Sequence, residues 1–212
     1  MGLRVTYLKN KNTIICILIF IISLSAFYLF KNIGMNAAEN SLVPYLDADF
    51  KIENTIKSAS NLKSDINSSE LGILRNQYEI IKLKKEHHLG ITKMMNAFYY
   101  ASTILLLILS IILGVLVIQI ADTGIKQQTK LFKTIFFSIL SLVTFFGVLI
   151  QALNHKENIN NNKEVFLNYS SVQLRIYNYI ITDRKELNVK KKDSLDFNEF
   201  VTSINREINS IN

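Results

Sequence analysis

Glu86, His87 and His88 stand side by side just ahead of a long apolar run, and a carboxylate beside two imidazoles has the donor types of a transition-metal site. The spacing argues against one. On a helix, adjacent residues project about 100° apart and cannot share a face as residues four apart do. His155, the only other histidine, is distant in sequence. These residues therefore read as a solvated helix face with no metal. Asp47 and Asp49 form an Asp-x-Asp pair, the residue type used in general acid–base work, but Tyr45, Leu46 and Phe50 around them look structural. Cys16 follows Ile14 and Ile15 without the small residues of a lipoprotein cleavage site, so it reads as a thiol for packing or lipid contact. No phosphate-binding glycine loop, Gly-x-Ser-x-Gly or Cys-x-x-Cys occurs. The expectation is a non-enzymatic protein with no cofactor.

What positions these groups is set by three stretches that contain no Asp, Glu, Lys, Arg or His: 13–30, 94–121 and 134–153. A hydrocarbon core of about 30 Å is crossed by roughly 17 to 25 helical residues. Ile, Leu and Phe fill 12 of the 18 positions of the first stretch, and Ile, Leu, Val and Phe fill 13 of the third. Each such residue near the bilayer centre favours insertion by about 0.3 to 0.6 kcal/mol. The first stretch follows Arg4, Lys9 and Lys11, as a secretory signal would, but it exceeds the apolar region of about 7 to 15 residues that signals carry. It reads as an uncleaved anchor. The predicted fold class is an all-α integral membrane protein with three transmembrane helices and a helical extramembrane bundle. Its parts are a basic tail (1–12), the first span (13–30), an extramembrane segment (31–93), the second span (94–121), a short basic loop (122–133), the third span (134–153) and an extramembrane tail (154–212).

Three crossings place 31–93 and 154–212 on one side whatever the orientation. Orientation comes from Lys and Arg, which are in excess in cytoplasmic loops. Of the net charge of +7, the tail and the short loop (Lys126, Lys130, Lys133) supply five, because each long segment balances nine basic residues with eight acids. The N-terminus and the 122–133 loop are thus expected in the cytoplasm of a multi-pass cell-membrane protein. Against this stand Lys82, Lys84, Lys85, His87, His88 and Lys93, near enough to the second span to attract anionic headgroups. A pI near 9.4 is accordingly a topology signal, and nucleic acid is not an expected partner.

In the long segments, Asn32 to Pro44 carries Gly34 and the sole proline and predicts a break. Phe50, Ile52, Ile56, Ala59 and Ile66 then recur at helical spacing, and Asn67-Ser68-Ser69 predicts a turn with Ser68 or Ser69 as helix cap. Leu71, Leu74, Tyr78 and Ile81 step by three and four, a coiled-coil-like seam on a helix that continues into the second span, with Gly90 its one place to kink. An Asn-rich connector is predicted over 154–163. The stripe Val165, Tyr169, Val172, Ile176, Tyr179 then matches the first seam, and Phe197, Val201, Ile204, Ile208, Ile211 repeats it after Lys190, Lys191 and Lys192. Leu74, Tyr78 and Ile81 are expected against Tyr169, Val172 and Ile176. Such stripes serve a bundle core, or a surface for another protein or for self-association.

With no charge inside any span, proton relays and voltage sensors are disfavoured. On the second span Asn96, Tyr99, Tyr100, Thr103, Ser110 and Gly114 lie within an arc of about 100°, and on the third Thr134, Ser138 and Ser141 share a face. Small and hydroxylated residues allow close helix packing, or in an oligomer line an aqueous pore. A helix leading into a two-span hairpin, a polar connector and further helices, with Asn-Tyr-Ser-Ser at 168–171, resembles the SLATT-type membrane domains of bacterial conflict systems. The resemblance covers 71–180, about half of the chain, and the span at 13–30 departs from it. It implies a pore-forming effector with cytoplasmic flanking helices. The residues themselves favour a non-enzymatic membrane interaction protein, a small subunit or sensor that meets the bilayer and a partner or a second copy. A homo-oligomeric pore of an anti-phage system is the alternative.

Overall fold

The computed structural model describes residues 2–58, 66–182 and 196–211, with the side chains of 2–10, 41–45, 48 and 57 outside that description. Ala59, Lys190, Lys191, Lys192 and the side chains of Arg4, Lys9 and Tyr45 therefore lie outside the described residues. Five helices follow one another: α1 (Gly2–Ser58), α2 (Ser68–Thr123), α3 (Lys130–Ala152), α4 (His155–Ile181) and α5 (Phe197–Ser210). Helix accounts for 93% of the described residues and no strand occurs among them, so the chain is all-α. Three helical stretches are long and apolar enough to cross a membrane, with mean hydropathies of 2.6 (Lys11–Asn40), 3.1 (Ser68–Thr123) and 2.2 (Lys130–Ile181) in their most apolar windows. Only 6%, 11% and 17% of those windows is buried within the chain, leaving an apolar surface that suits lipid rather than water.

Three boundaries differ from the sequence reading. The cap of α2 is Asn67, not Ser68 or Ser69: its Oδ1 accepts from the Glu70 N–H (2.8 Å) while the Glu70 carboxylate accepts from the Asn67 N–H (3.1 Å), a reciprocal capping box. The predicted break over 32–44 is absent, because α1 runs through it. Gly34 is there for close packing, as shown below, and the helix continues through Pro44. The connector predicted over 154–163 is helix from His155 onward. The turn into it is confined to Leu153 and Asn154, where Asn154 takes φ +41°, a conformation that asparagine tolerates. Between α2 and α3, Gly124 at φ +77° donates to the Ile120 carbonyl (2.7 Å), and the Thr129 hydroxyl caps α3 by accepting from the Phe132 N–H (3.2 Å).

The chain divides into two units. The first combines Met1–Ala38 with Met94–Glu157. Its core sets Leu105 and Leu109 of α2 against Ile139, Leu142 and Phe146 of α3, with Ile19 and Phe27 of α1 packed on them. Phe27 stacks on Phe146 with ring centres 5.7 Å apart. Around Gly34 the helices approach closely: a Cβ there would lie 2.9 Å from the Tyr100 Cβ and 3.1 Å from the Ala97 Cα. Gly34 and Ala38 on α1, four apart like the buried Ala97 and Ala101 on α2, form a small-xxx-small contact of the kind that brings membrane helices together.

The second unit combines Glu39–Lys93 with Asn158–Asn212, drawing on the two segments that parity assigns to one side. Its core joins Ile56 of α1, Leu74, Tyr78 and Ile81 of α2, Tyr169, Val172, Ile176 and Tyr179 of α4, and Phe197, Phe200, Ile204 and Ile208 of α5. Tyr179 and Phe200 stack with centres 3.9 Å apart. The Gln77 amide donates to Asn205 (2.8 Å), and Arg175 pairs with Glu207 and donates to Ser203 (3.0 Å), fixing α5 on α2 and α4. Phe50, expected on the apolar stripe, points outward.

Candidate functional site

The hydroxylated faces of the spans are placed unevenly. In the first unit α2 packs through Ala97, Ala101, Leu105 and Leu109, so Thr103, Ser110 and Gly114 are exposed while Asn96 and Tyr99 are half-buried. On α3 the hydroxyls of Thr134, Ser138 and Ser141 each donate to the carbonyl one turn back, at 3.0, 2.8 and 2.8 Å. Ser138 also touches the Cys16 thiol across to α1 (3.1 Å), and Ser141 is exposed. These residues do not converge within one chain: the α2 stripe and Ser141 face outward. Buried polar groups of this unit whose burial the sequence did not indicate are Ser23, Ser102 and His155, the last beside the Tyr99 ring with centres 6.1 Å apart.

In the second unit Leu74, Tyr78, Ile81, Tyr169, Val172 and Ile176 all lie in one core cluster, so the two seams meet. The basic run ahead of the second span is not free. Lys82 pairs with Glu53 (2.8 Å), Lys85 with Asp49 (2.5 Å) and Lys93 with Glu39 (3.1 Å), an antiparallel ladder with acids on α1 and bases on α2. Arg75 extends it by donating to the Ile56 carbonyl (3.1 Å), one of the last acceptors of α1. Lys85 is 2% exposed. Burial holds its ammonium below the ordinary lysine value, against the opposing pull of Asp49. Lys82 moves the other way, raised chiefly by its bond to Glu53. The solvated face expected at the histidines holds for His87, which is exposed. His88 instead bonds Asn162 through Nδ1 (2.8 Å) and stacks on Tyr169. Among the described residues no three His, Cys, Asp or Glu side chains are grouped to hold a metal.

A scan of protein-family models, a search of curated proteins and a search of solved structures each return no match to this chain.

The surface that remains lies on the side of α2 turned away from the core. Ile73 (43% exposed), Ile80 (42%) and Leu83 (66%) are large apolar side chains in solvent, and with exposed Asn76 and His87 they step by three, four, three and four. That is the a/d spacing of a coiled-coil seam. It is a second seam on the helix that supplies Leu74, Tyr78 and Ile81 to the core, displaced from them by roughly 150° at about 100° per residue.

Proposed function

We propose that the chain is a non-enzymatic membrane interaction protein, anchored by three spans with the N-terminus and the 122–133 loop in the cytoplasm, whose helical extramembrane unit docks another helix. The observation that carries this reading is the outward seam Ile73, Asn76, Ile80, Leu83, His87. The occupant best matched to it is the same seam of a second copy. Copies inserted with one orientation hold their α2 helices parallel, so that Asn76, at a d position, meets Asn76, and other registers would bury it against an apolar side chain. Two heptads bind weakly alone, but sharing a membrane raises the effective concentration. The test places a single cysteine by Ile80→Cys in a Cys16→Ser background and oxidises intact membranes. A disulfide-linked dimer is expected from that position and not from Glu79→Cys, which is exposed off the seam. Equal cross-linking at both refutes the seam.

A second reading is favoured by the outward Thr103, Ser110 and Gly114 and by the layout shared with SLATT-type domains: copies assemble a pore lined by that face. Expression should then depolarise cells, and Thr103→Leu with Ser110→Leu should alter the effect. An abundant, inserted protein with no effect on membrane potential or dye entry removes this reading.

A further inference from the structure

Beneath the acid–base ladder of the second unit lies a cleft of about 230 Å³ between α1, α2 and α4. Its floor is made of buried polar groups. The Lys85 ammonium has three N–H groups, of which one goes to Asp49 and one to the Gln173 Oε1, while the third has no oxygen acceptor among the described residues and the ammonium lies 5.6 Å from the centre of the Phe166 ring. That bond fixes the Gln173 amide, so its Nε2, on a residue 1% exposed, is a donor with no acceptor among the described residues. The Tyr78 phenol completes the floor. Burial first, then the nearby carboxylates of Asp49 and Glu53, hold it well above its ordinary value, so it stays neutral and able to donate. The floor thus offers N–H and O–H donors and calls for an acceptor.

The rim has the opposite character. Glu53 and Asp49 are occupied by Lys82 and Lys85, whereas Glu86, also lining the cleft, is an exposed carboxylate, and the lining includes the exposed Phe50. Five charged side chains line the cleft: Asp49, Glu53 and Glu86 against Lys82 and Lys85. A purely anionic ligand would meet repulsion at the rim, and a purely cationic one would leave the floor donors unpaired. The volume also limits size. At about 30 Å³ per water, the cleft takes roughly seven non-hydrogen atoms, well below a drug-sized site.

We propose that this cleft binds a small α-amino acid or a zwitterion of that class, its carboxylate on Gln173 Nε2, Lys85 and Tyr78 and its ammonium on Glu86. The assignment is independent of the partner seam, which lies on the other side of α2. Bridging α4 and α2, such a ligand would tie the two helices together, so occupancy is also expected to slow protease cleavage of the second unit.

The full chain in micelles is titrated calorimetrically with glycine, L-alanine and L-serine, and with acetate and methylammonium as single-charge probes. Saturable binding of at least one amino acid is expected, with both single-charge probes at least tenfold weaker. Glu86→Gln, a surface change, and Gln173→Leu, which keeps the size of a buried side chain, should each weaken it tenfold or more while the thermal melt shows the protein folded. The proposal fails if none of the three amino acids binds, if acetate or methylammonium binds as tightly, or if binding survives both substitutions unchanged.

Discussion

Asp49→Asn isolates what the buried ion pair does. Lys85 is 2% exposed and would keep only neutral partners, the Gln173 carbonyl, the new amide oxygen and the Phe166 ring, leaving a cation with no countercharge in a core. Removing one member of a buried pair costs about 3 to 5 kcal/mol. The Asp49 side chain is 23% exposed, which places the loss at the lower end, about 3 kcal/mol. At about 2 to 4 °C per kcal/mol, the melting temperature of the full chain in micelles should fall by about 6 to 12 °C, read by far-UV circular dichroism. Lys85→Met removes the need for a partner and should cost about 1 kcal/mol or less, since apolar replacement of buried ions is often neutral. Added to Asp49→Asn, it should restore most of the loss, a coupling of about 2 kcal/mol. The pH dependence has a definite sign. Burial depresses the folded-state value of Lys85, and loss of Asp49 depresses it further. Between that value and the unfolded lysine value of about 10.4 the unfolded chain binds more protons, so stability rises with pH. The deficit of Asp49→Asn should therefore shrink from about pH 7 to about pH 9.5, by at most about 1.4 kcal/mol per unit. A variant that melts with the wild type, or whose deficit ignores pH, refutes the reasoning.

Gly34→Leu should lower the thermal melt by about 1 to 3 kcal/mol through overpacking against Tyr100, whereas Gly90→Ala, with nothing within 4 Å of the new Cβ, should raise it by up to about 1 kcal/mol. Ile176→Asn buries an amide at a site with no exposure and should cost about 3 kcal/mol or more in protease resistance of the second unit, while Leu174→Asn, 47% exposed, should cost almost nothing. Cysteine labelling in spheroplasts should find 127 protected and both 60 and 200 reactive. Reactivity of 60 and 200 on opposite sides would refute three crossings, and protection of both would reverse the orientation.

The three long apolar helices were legible because each is marked by a charge-free run, and the inner seam because Leu74, Tyr78 and Ile81 find a matching stripe at Tyr169, Val172 and Ile176. What was not read is the second seam on the opposite side of α2. Ile73, Asn76, Ile80 and Leu83 step by three, four and three as Leu71, Leu74, Tyr78 and Ile81 do, and only the packing of α4 and α5 on one side separates the two sets. Gly34 misled for a related reason: a glycine at a helix break and one at a close helix contact are the same letter, although Gly34-x-x-x-Ala38 was there to be read as a packing motif. The ladder pairs were hidden because each joins residues from two helices whose register only the fold sets. Asn158, Asn160, Asn161 and Asn162 suggested a loop, but Asn162 is held by His88 and by the Asn158 carbonyl inside regular helix.

The ladder also bears on how the charge pattern is weighed. The case for a cytoplasmic second unit rested on lysines ahead of the second span being free to meet anionic headgroups, a contribution of about 1 kcal/mol for each free basic side chain near the surface. Lys82, Lys85 and Lys93 are each within 3.1 Å of a carboxylate on α1, and Lys85 is also withdrawn from the surface, which leaves Lys84 as the exposed lysine of the cluster 82–85. In the 122–133 loop no lysine has an acidic partner among the ion pairs of the described residues, and the Lys133 ammonium instead donates to the Lys126 carbonyl (3.2 Å). The two clusters look alike as sequence, but in the folded chain one is neutralised by acids that α1 delivers and the other keeps its positive charge. The pairing with Glu39, Asp49 and Glu53 therefore weakens the attraction to anionic headgroups that the lysines 82–93 suggest as sequence.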